Sequence, residues 1–206
     1  MHSPLSLTNG PTMQTEKAPI TTADKLDDAS IETTAWFQIL HLKQVFRKGW
    51  LERGIHPARC ESVAEHSFGN AMLCLLLAQG REDLNLERVL RLALIHDLGE
   101  VYVGDLTPKD AVDRDAKIAM ERDAVNKILG PLPNAAALIA DWEEYEAQAS
   151  VEARFVKDID RLEFALQAAH YQTAELMDSA DLLKKVGAQL NDKDEFAAFK
   201  HLLSAE

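Results

Sequence analysis

A histidine and an aspartate stand side by side, His96-Asp97, inside an apolar run that includes Leu92, Ala93, Leu94, Ile95 and Leu98. Burying an imidazole and a carboxylate together is costly unless each finds a partner. Glu100 follows His96 by four residues and Asp97 by three, so on a helix it projects from the same side. His66 lies near the start of another strongly apolar segment, one turn after Ser62-Val63. Gly69, three residues on, leaves room for another backbone or a ligand to approach closely. Singly these are weak signals, because a histidine on an apolar face is more often a hydrogen-bonded core residue than a ligand. The other histidines (His2, His41, His56, His170 and His201) fall in stretches read as tails, loops or helix surfaces and are given no metal role.

A fourth polar group follows from helix periodicity. The segment VEARFVKDIDRLEFALQAAHY offers Asp158 and Asp160. Asp158 has Arg154 four residues before it and Arg161 three after, the spacing of ion pairs on a solvated face. Asp160 has Val156 four before and Phe164 four after, so it lies on an apolar stripe and needs a buried cation or donor. His66, His96, Asp97 and Asp160 together offer two imidazoles and two carboxylates, a set suited to one divalent Mn, Co, Fe or Zn ion. Such an ion polarises a phosphoryl group and makes a hydroxide available near neutral pH. A structural tetrahedral zinc usually takes thiolates, and neither Cys60 nor Cys74 is placed to serve.

The elements that must hold these residues are helices. Only 9 Gly and 7 Pro occur, and the remainder is rich in Ala, Leu, Glu and Lys, the composition of an all-α bundle. Residues 1–25 lack periodicity and read as a mobile tail, with one domain over 26–206. Helices are expected at 28–46, closed by Gly49, then 62–79, 86–99, 111–129, 133–148, 150–177 and 193–204, with a weaker one at 180–190. The first should bury Ile31, Ala35, Ile39 and Leu42. The second is apolar nearly all round and should be central, capped by Ser62 with Glu65 three residues on.

Composition also bounds the partners. The net charge of −12 argues against a nucleic-acid polymer or an anionic membrane, though not against a small phosphate ester. No apolar run is long enough to span a membrane, and no secretory signal is evident. The two cysteines lack CxxC spacing and fit a reducing, cytoplasmic setting. Apolar helices on a small domain favour a homodimer.

The order H…HD…D, here His66, His96-Asp97 and Asp160, resembles the HD superfamily. ESVAEHS, RLALIHDLGEVYVGDLTP and FVKDIDRLEFALQA are similar to the single-domain 5′-deoxynucleotidases, the group that includes HD domain-containing protein 2. The resemblance covers about residues 31–178 and includes Gly104-Asp105, a pair absent from most other HD enzymes. It implies that the four residues already singled out are metal ligands and that Glu100 and Asp105 move protons at the attacking water and the leaving group. It also implies that Arg47 holds the substrate phosphate and that Trp50 crowds the sugar 2′ position. Lys48-Gly49 separates Arg47 from Trp50 here, whereas the two are adjacent in bacterial members. The alternative for Trp50 is a helix-end anchor packed on the core. For Asp105 it is a turn acid, and for Glu61 and Ser62 it is capping.

The expected activity is removal of the 5′-phosphate from deoxyribonucleoside monophosphates. One rival is an HD hydrolase of a cyclic nucleotide, a nucleoside triphosphate or guanosine tetraphosphate. A chain this short, without a second histidine pair, does not favour a two-metal site. The other rival, a metal-stabilised scaffold without turnover, would have no need of Glu100 and Asp105.

Overall fold

The computed structural model describes residues 13–22, 28–190 and 194–203. Among these the regular elements are helical, with two isolated β-bridges. The longer helices begin on side-chain caps. Ser30 opens α1 (Ile31–Ile39), and Ser62 with Glu65 forms a full capping box at α3 (Val63–Ala78). Asn85 opens α4 (Leu86–Ile95), Asp113 opens α6 (Arg114–Leu129), and Ser150 opens α8 (Val151–Thr173). α7 (Ala135–Ala147), α9 (Ala180–Leu190) and the short α10 (Lys200–Leu203) complete the longer part of the bundle. Two single-turn helices, α2 (Lys48–Leu51) and α5 (Glu100–Val103), lie in connections.

Several boundaries depart from the sequence expectation. α1 stops at Ile39 and gives way to a 3₁₀ turn over Leu40–Lys43. The chain then straightens, because Val45 and Phe46 bridge to Glu16 and Ser62. Gly49 closes nothing: it lies inside α2, which starts after Arg47. Ile31 is exposed, whereas Ala35 and Leu42 are buried as expected. The 86–99 helix ends at Ile95, with His96 as its cap residue, and a separate turn forms from Glu100.

The stretch expected as a mobile tail is divided. Residues 1–12 and 23–25 lie outside the described residues. Within 13–22, Lys17 N–H donates to Gln44 O at 2.7 Å, Phe46 N–H donates to Thr15 O at 3.0 Å, and Ile20 packs on the core. This segment therefore docks, against expectation, through main-chain pairing that hydrophobic periodicity does not report.

The buried apolar residues form two clusters. One gathers α3, α4, α8 and α9 around Cys74, Leu92, Ile159 and Leu162. The other gathers Val63, Leu98, Val125, Ile128 and Trp142. At roughly 1.5–3 kcal/mol per buried large side chain, these clusters dominate the fold's stability. Polar groups occupy the seam: His66 falls between Val63 and Ala71 in the chain, and His96 between Ala93 and Leu98. α3 is central but not wrapped on all sides, for Phe68, Met72 and Leu76 stand exposed along one face.

Candidate active site

The capping box fixes the first turn of α3 and so places His66 one turn into the helix, fully buried. Its Nδ1 lies 2.5 Å from Glu163 Oε2, and that carboxylate requires Nδ1 to be the donor. His96 is fixed from both sides. Its Nδ1 donates to Ala93 O at 2.8 Å, and its own carbonyl accepts from Trp142 Nε1 at 3.2 Å. Both imidazoles therefore present Nε2 to the same interior, where that of His96 also lies 3.5 Å from Asn70 Nδ2. Asp160 Oδ1 is 3.1 Å from His66 Nε2, while Asp97 Oδ2 is 3.6 Å from His66 Nε2 and 3.2 Å from His96 Nε2.

Two lone pairs facing two carboxylates in a buried seam repel one another unless a cation stands among them. His66 Nε2 is buried with no hydrogen-bond partner. The donor atoms of His66, His96 and Asp160 lie within 4.8 Å of one another. Ligands about 2.0–2.2 Å from a common ion span a comparable distance. The donor set and its orphaned nitrogen therefore fit a divalent metal.

In an ion's absence a proton takes that place on His66, between Nε2 and Asp160. Burial and the Arg47 charge both oppose protonation of His66, but Asp160 and Glu163 outweigh them and push it up to about 10. Burial likewise opposes the charges of Asp97 and Asp160. Even so, His96, His66 and Arg47 hold Asp97 below the usual carboxylate range, and Lys157 and His66 do the same for Asp160. Asp160 divides its oxygens: Oδ2 takes Lys157 Nζ at 2.8 Å and Tyr145 OH at 3.4 Å, leaving Oδ1 toward His66.

Asp158 is on the other side of α8, paired with Arg161 at 3.0 Å, as the spacing predicts. It is buried, however, which corrects the expectation of a solvated face. Arg154 donates to the Gln148 and Ala149 carbonyls. His41, expected at a surface, is also buried, with Nε2 3.6 Å from Glu16. His2 lies outside the described residues.

The remaining site residues are close by. Glu100 begins α5 and is buried, its Oε2 without a hydrogen-bond partner. Burial, followed by the Asp97 and Asp105 charges, raises its carboxyl well above the usual range. Gly104, at φ 76°, stops α5 in a conformation that side-chain-bearing residues rarely adopt and swings the chain out to Asp105. Arg47 Nη1 lies 3.2 Å from Asp105 Oδ1 and 3.7 Å from Asp97 Oδ2. Burial works against its charge, but Asp105 and Asp97 more than offset this.

Arg47, Trp50 and Asp105 line a cavity of about 730 Å³, walled also by Phe164, Met177, Leu182 and Val186 and rimmed by Asp181, Lys185 and Gln189. Trp50 itself is fully buried. It stacks on Phe164 at 4.5 Å, meets Tyr171 edge-on at 5.4 Å, and donates from Nε1 to Glu61 Oε1 at 2.7 Å. Burial and the adjacent Glu163 charge raise the Glu61 carboxyl to about 7. Glu61, read from sequence as capping, thus holds the indole in place, while Ser62 does cap α3. Sequence reasoning passed over Lys157 and Glu163, although each is three residues from Asp160, the spacing that shares a helix face.

A helical bundle with a buried His/Asp cluster between three helices and a phosphate-sized basic group beside it defines a class of metal-binding domains. Residues 39–198 match the HD domain, and the chain belongs to that family. It is 40% identical over 136 residues to human 5′-deoxynucleotidase HDDC2, covering 65% of each chain. It is 35% identical over 137 residues to 5′-deoxynucleotidase YGK1 of Saccharomyces cerevisiae, covering 64% of this chain and 62% of that one. The match thus spans somewhat under two thirds of the length of these curated relatives. Among solved structures, a predicted metal-dependent phosphohydrolase from Magnetospirillum magnetotacticum superposes with a TM-score of 0.60 at 30% identity, over 85% of this chain and 97% of that one. A conserved hypothetical protein from Pyrococcus furiosus superposes with a TM-score of 0.65 at 26% identity, over 84% and 98%.

Proposed function

We propose that this chain hydrolyses the 5′-phosphate of deoxyribonucleoside monophosphates, with His66, His96, Asp97 and Asp160 holding one divalent ion. The observation that carries the reading is the pair of imidazole Nε2 atoms facing Asp97 and Asp160, next to the Arg47–Asp105 pair that lines a nucleoside-sized cavity. The names of the human and yeast relatives support the substrate class. A divalent Mn, Co, Fe or Zn ion suits this donor set, and when bound it supplies Lewis-acid polarisation of the phosphoryl group and a more acidic water.

The chain's own groups account for the rest. Arg47 exchanges its contact with Asp105 for the substrate phosphate and offsets its charge. Glu100, whose buried Oε2 is unpartnered, takes the proton of the attacking water. Asp105 lines the cavity and so sits on the leaving-group side, where it assists return of a proton to the 5′-oxygen. The P–O5′ bond breaks, the bond from water to phosphorus forms, and nucleoside and phosphate leave. Phe164 walls the sugar's place with the Trp50 indole stacked on it, so the indole backs the wall that crowds a 2′-hydroxyl.

The exposed stripe Phe68, Met72 and Leu76 on α3 supports a homodimer, whose mass light scattering would report and Phe68→Asp would split. Cys60 and Cys74, both buried free thiols, fit the cytoplasm, and no described helix is long and apolar enough to cross a membrane. The deciding experiment is phosphate release from ribo- and deoxyribonucleotides with each metal in turn. Turnover confined to cyclic nucleotides or triphosphates, or none at all, would overturn the reading.

A further inference from the structure

From the geometry around His66 we infer that Glu163 is a positioning residue: its carboxylate fixes the His66 tautomer and ring plane so that Nε2 offers its lone pair to the ion. The inference rests on the metal-centre reading above.

The contact is unusually well prepared. Glu163 Oε2 and His66 Nδ1 are 2.5 Å apart, and both side chains are buried. Glu163 is three residues after Asp160 on α8, so one helix face delivers both a ligand and the group that orients a second ligand. α3 makes room for it. A Cβ at Gly69 would stand 2.6 Å from Glu163 Oε1, closer than such contacts occur, so only glycine lets this carboxylate lie against the helix beside His66. Behind it, Glu61 is held by the Trp50 indole, and its carboxylate lies within 4.8 Å of the Glu163 and His66 donor atoms. His96 shows the same device with a different acceptor, its Nδ1 fixed by the Ala93 carbonyl. A neutral imidazole with Nδ1–H tied to an acceptor can ligate only through Nε2, and a carboxylate acceptor raises the basicity of that nitrogen.

The test is Co²⁺ titration of the full chain, read by the visible absorption of the bound ion, for wild type, Glu163→Gln and Gly69→Ala. Glutamine keeps the shape and one acceptor oxygen but removes the charge. We expect Glu163→Gln to weaken Co²⁺ binding by roughly 10–100-fold, with an altered absorption spectrum and a metal-free melting temperature close to wild type. Gly69→Ala, which displaces the carboxylate, should weaken binding in the same direction. An affinity within about twofold of wild type in Glu163→Gln, with an unchanged spectrum, overturns the positioning role. If Glu163→Gln fails to fold, wild-type affinity in Gly69→Ala overturns it instead. Absence of Co²⁺ binding by the wild type would overturn the metal-centre reading itself, independently of Glu163.

Discussion

The two ends of the site are built on different terms. At the His/Asp end the orientation of the side chains is fixed a second time: His66 by Glu163, His96 by Ala93 O, and Asp160 by Lys157 and Tyr145. At the cavity end, the nearer partner of Arg47 is the exchangeable carboxylate of Asp105, and the lining residues Asp181, Lys185 and Gln189 belong to α9. The contrast matches what each end must do. Ligands of an ion have to be placed to a fraction of an ångström, whereas a pocket for a flexible nucleoside tolerates adjustment. Substitutions at the first end should therefore act all-or-none, and those at the second should be graded.

The sharpest break would come from Asp160→Ala or His96→Ala. Each should abolish stoichiometric metal and lower turnover by more than about 10³-fold, the several kcal/mol that Lewis-acid assistance supplies. Asp158→Asn, two residues away, should keep its metal and lose only stability, roughly 1–3 kcal/mol, because its carboxylate is buried against Arg161. Metal analysis of the three variants together checks this, and retention by Asp160→Ala would dissolve the contrast.

Glu100→Ala and Asp105→Ala come next. Neither touches the orienting partners, so metal content should stay near wild type while kcat drops roughly 10²-fold or more. Should both lose the metal as well, they belong to the rigid end as ligands.

Trp50 straddles the two ends. Trp50→Ala should cost about 3–5 kcal/mol of stability, as loss of a buried aromatic does. The more informative variant is Trp50→Phe, which keeps a ring but gives up the bond to Glu61. A 2′-hydroxyl excluded only by shape is worth roughly 1–3 kcal/mol, so the rate on ribonucleotides relative to deoxyribonucleotides should rise correspondingly. An unchanged ratio leaves the indole as a core anchor alone.

The smallest effect concerns the N-terminal segment. Removing residues 1–12 should leave the melting temperature close to that of the full chain. Removing 1–22 takes away the Thr15 and Lys17 main-chain bonds and the Ile20 contact. Two hydrogen bonds and one partly buried side chain amount to about 2–3 kcal/mol. Equal melting temperatures for the two truncations would mean that the docked segment contributes nothing.

How much of this was legible beforehand follows the same division. Helix periodicity favours Asp160 over Asp158, and Asp160 is the one whose carboxylate meets His66, although it is only half-buried. It fails for Asp158's burial, since an ion pair can be covered by other elements that a single helix wheel does not contain. Ser62 and Glu65 announced the start of α3, because capping is local chemistry. The end of α1 was illegible, because it is set by the bridges of Val45 and Phe46 to Glu16 and Ser62, on distant stretches of chain. Gly69 was recognised as a place of close approach, but not what approaches. That depends on α8 crossing α3, a tertiary fact.

Lys157, Asp160 and Glu163 stand one behind another at three-residue steps on α8. A rotation of this helix by one residue, about 100°, would carry all three away from the cluster at once. The site therefore works as a register gauge. An ion bound there would latch the phase of a 23-residue helix, and metal-dependent slowing of amide exchange should run the length of α8, not only in the turn that bears Asp160.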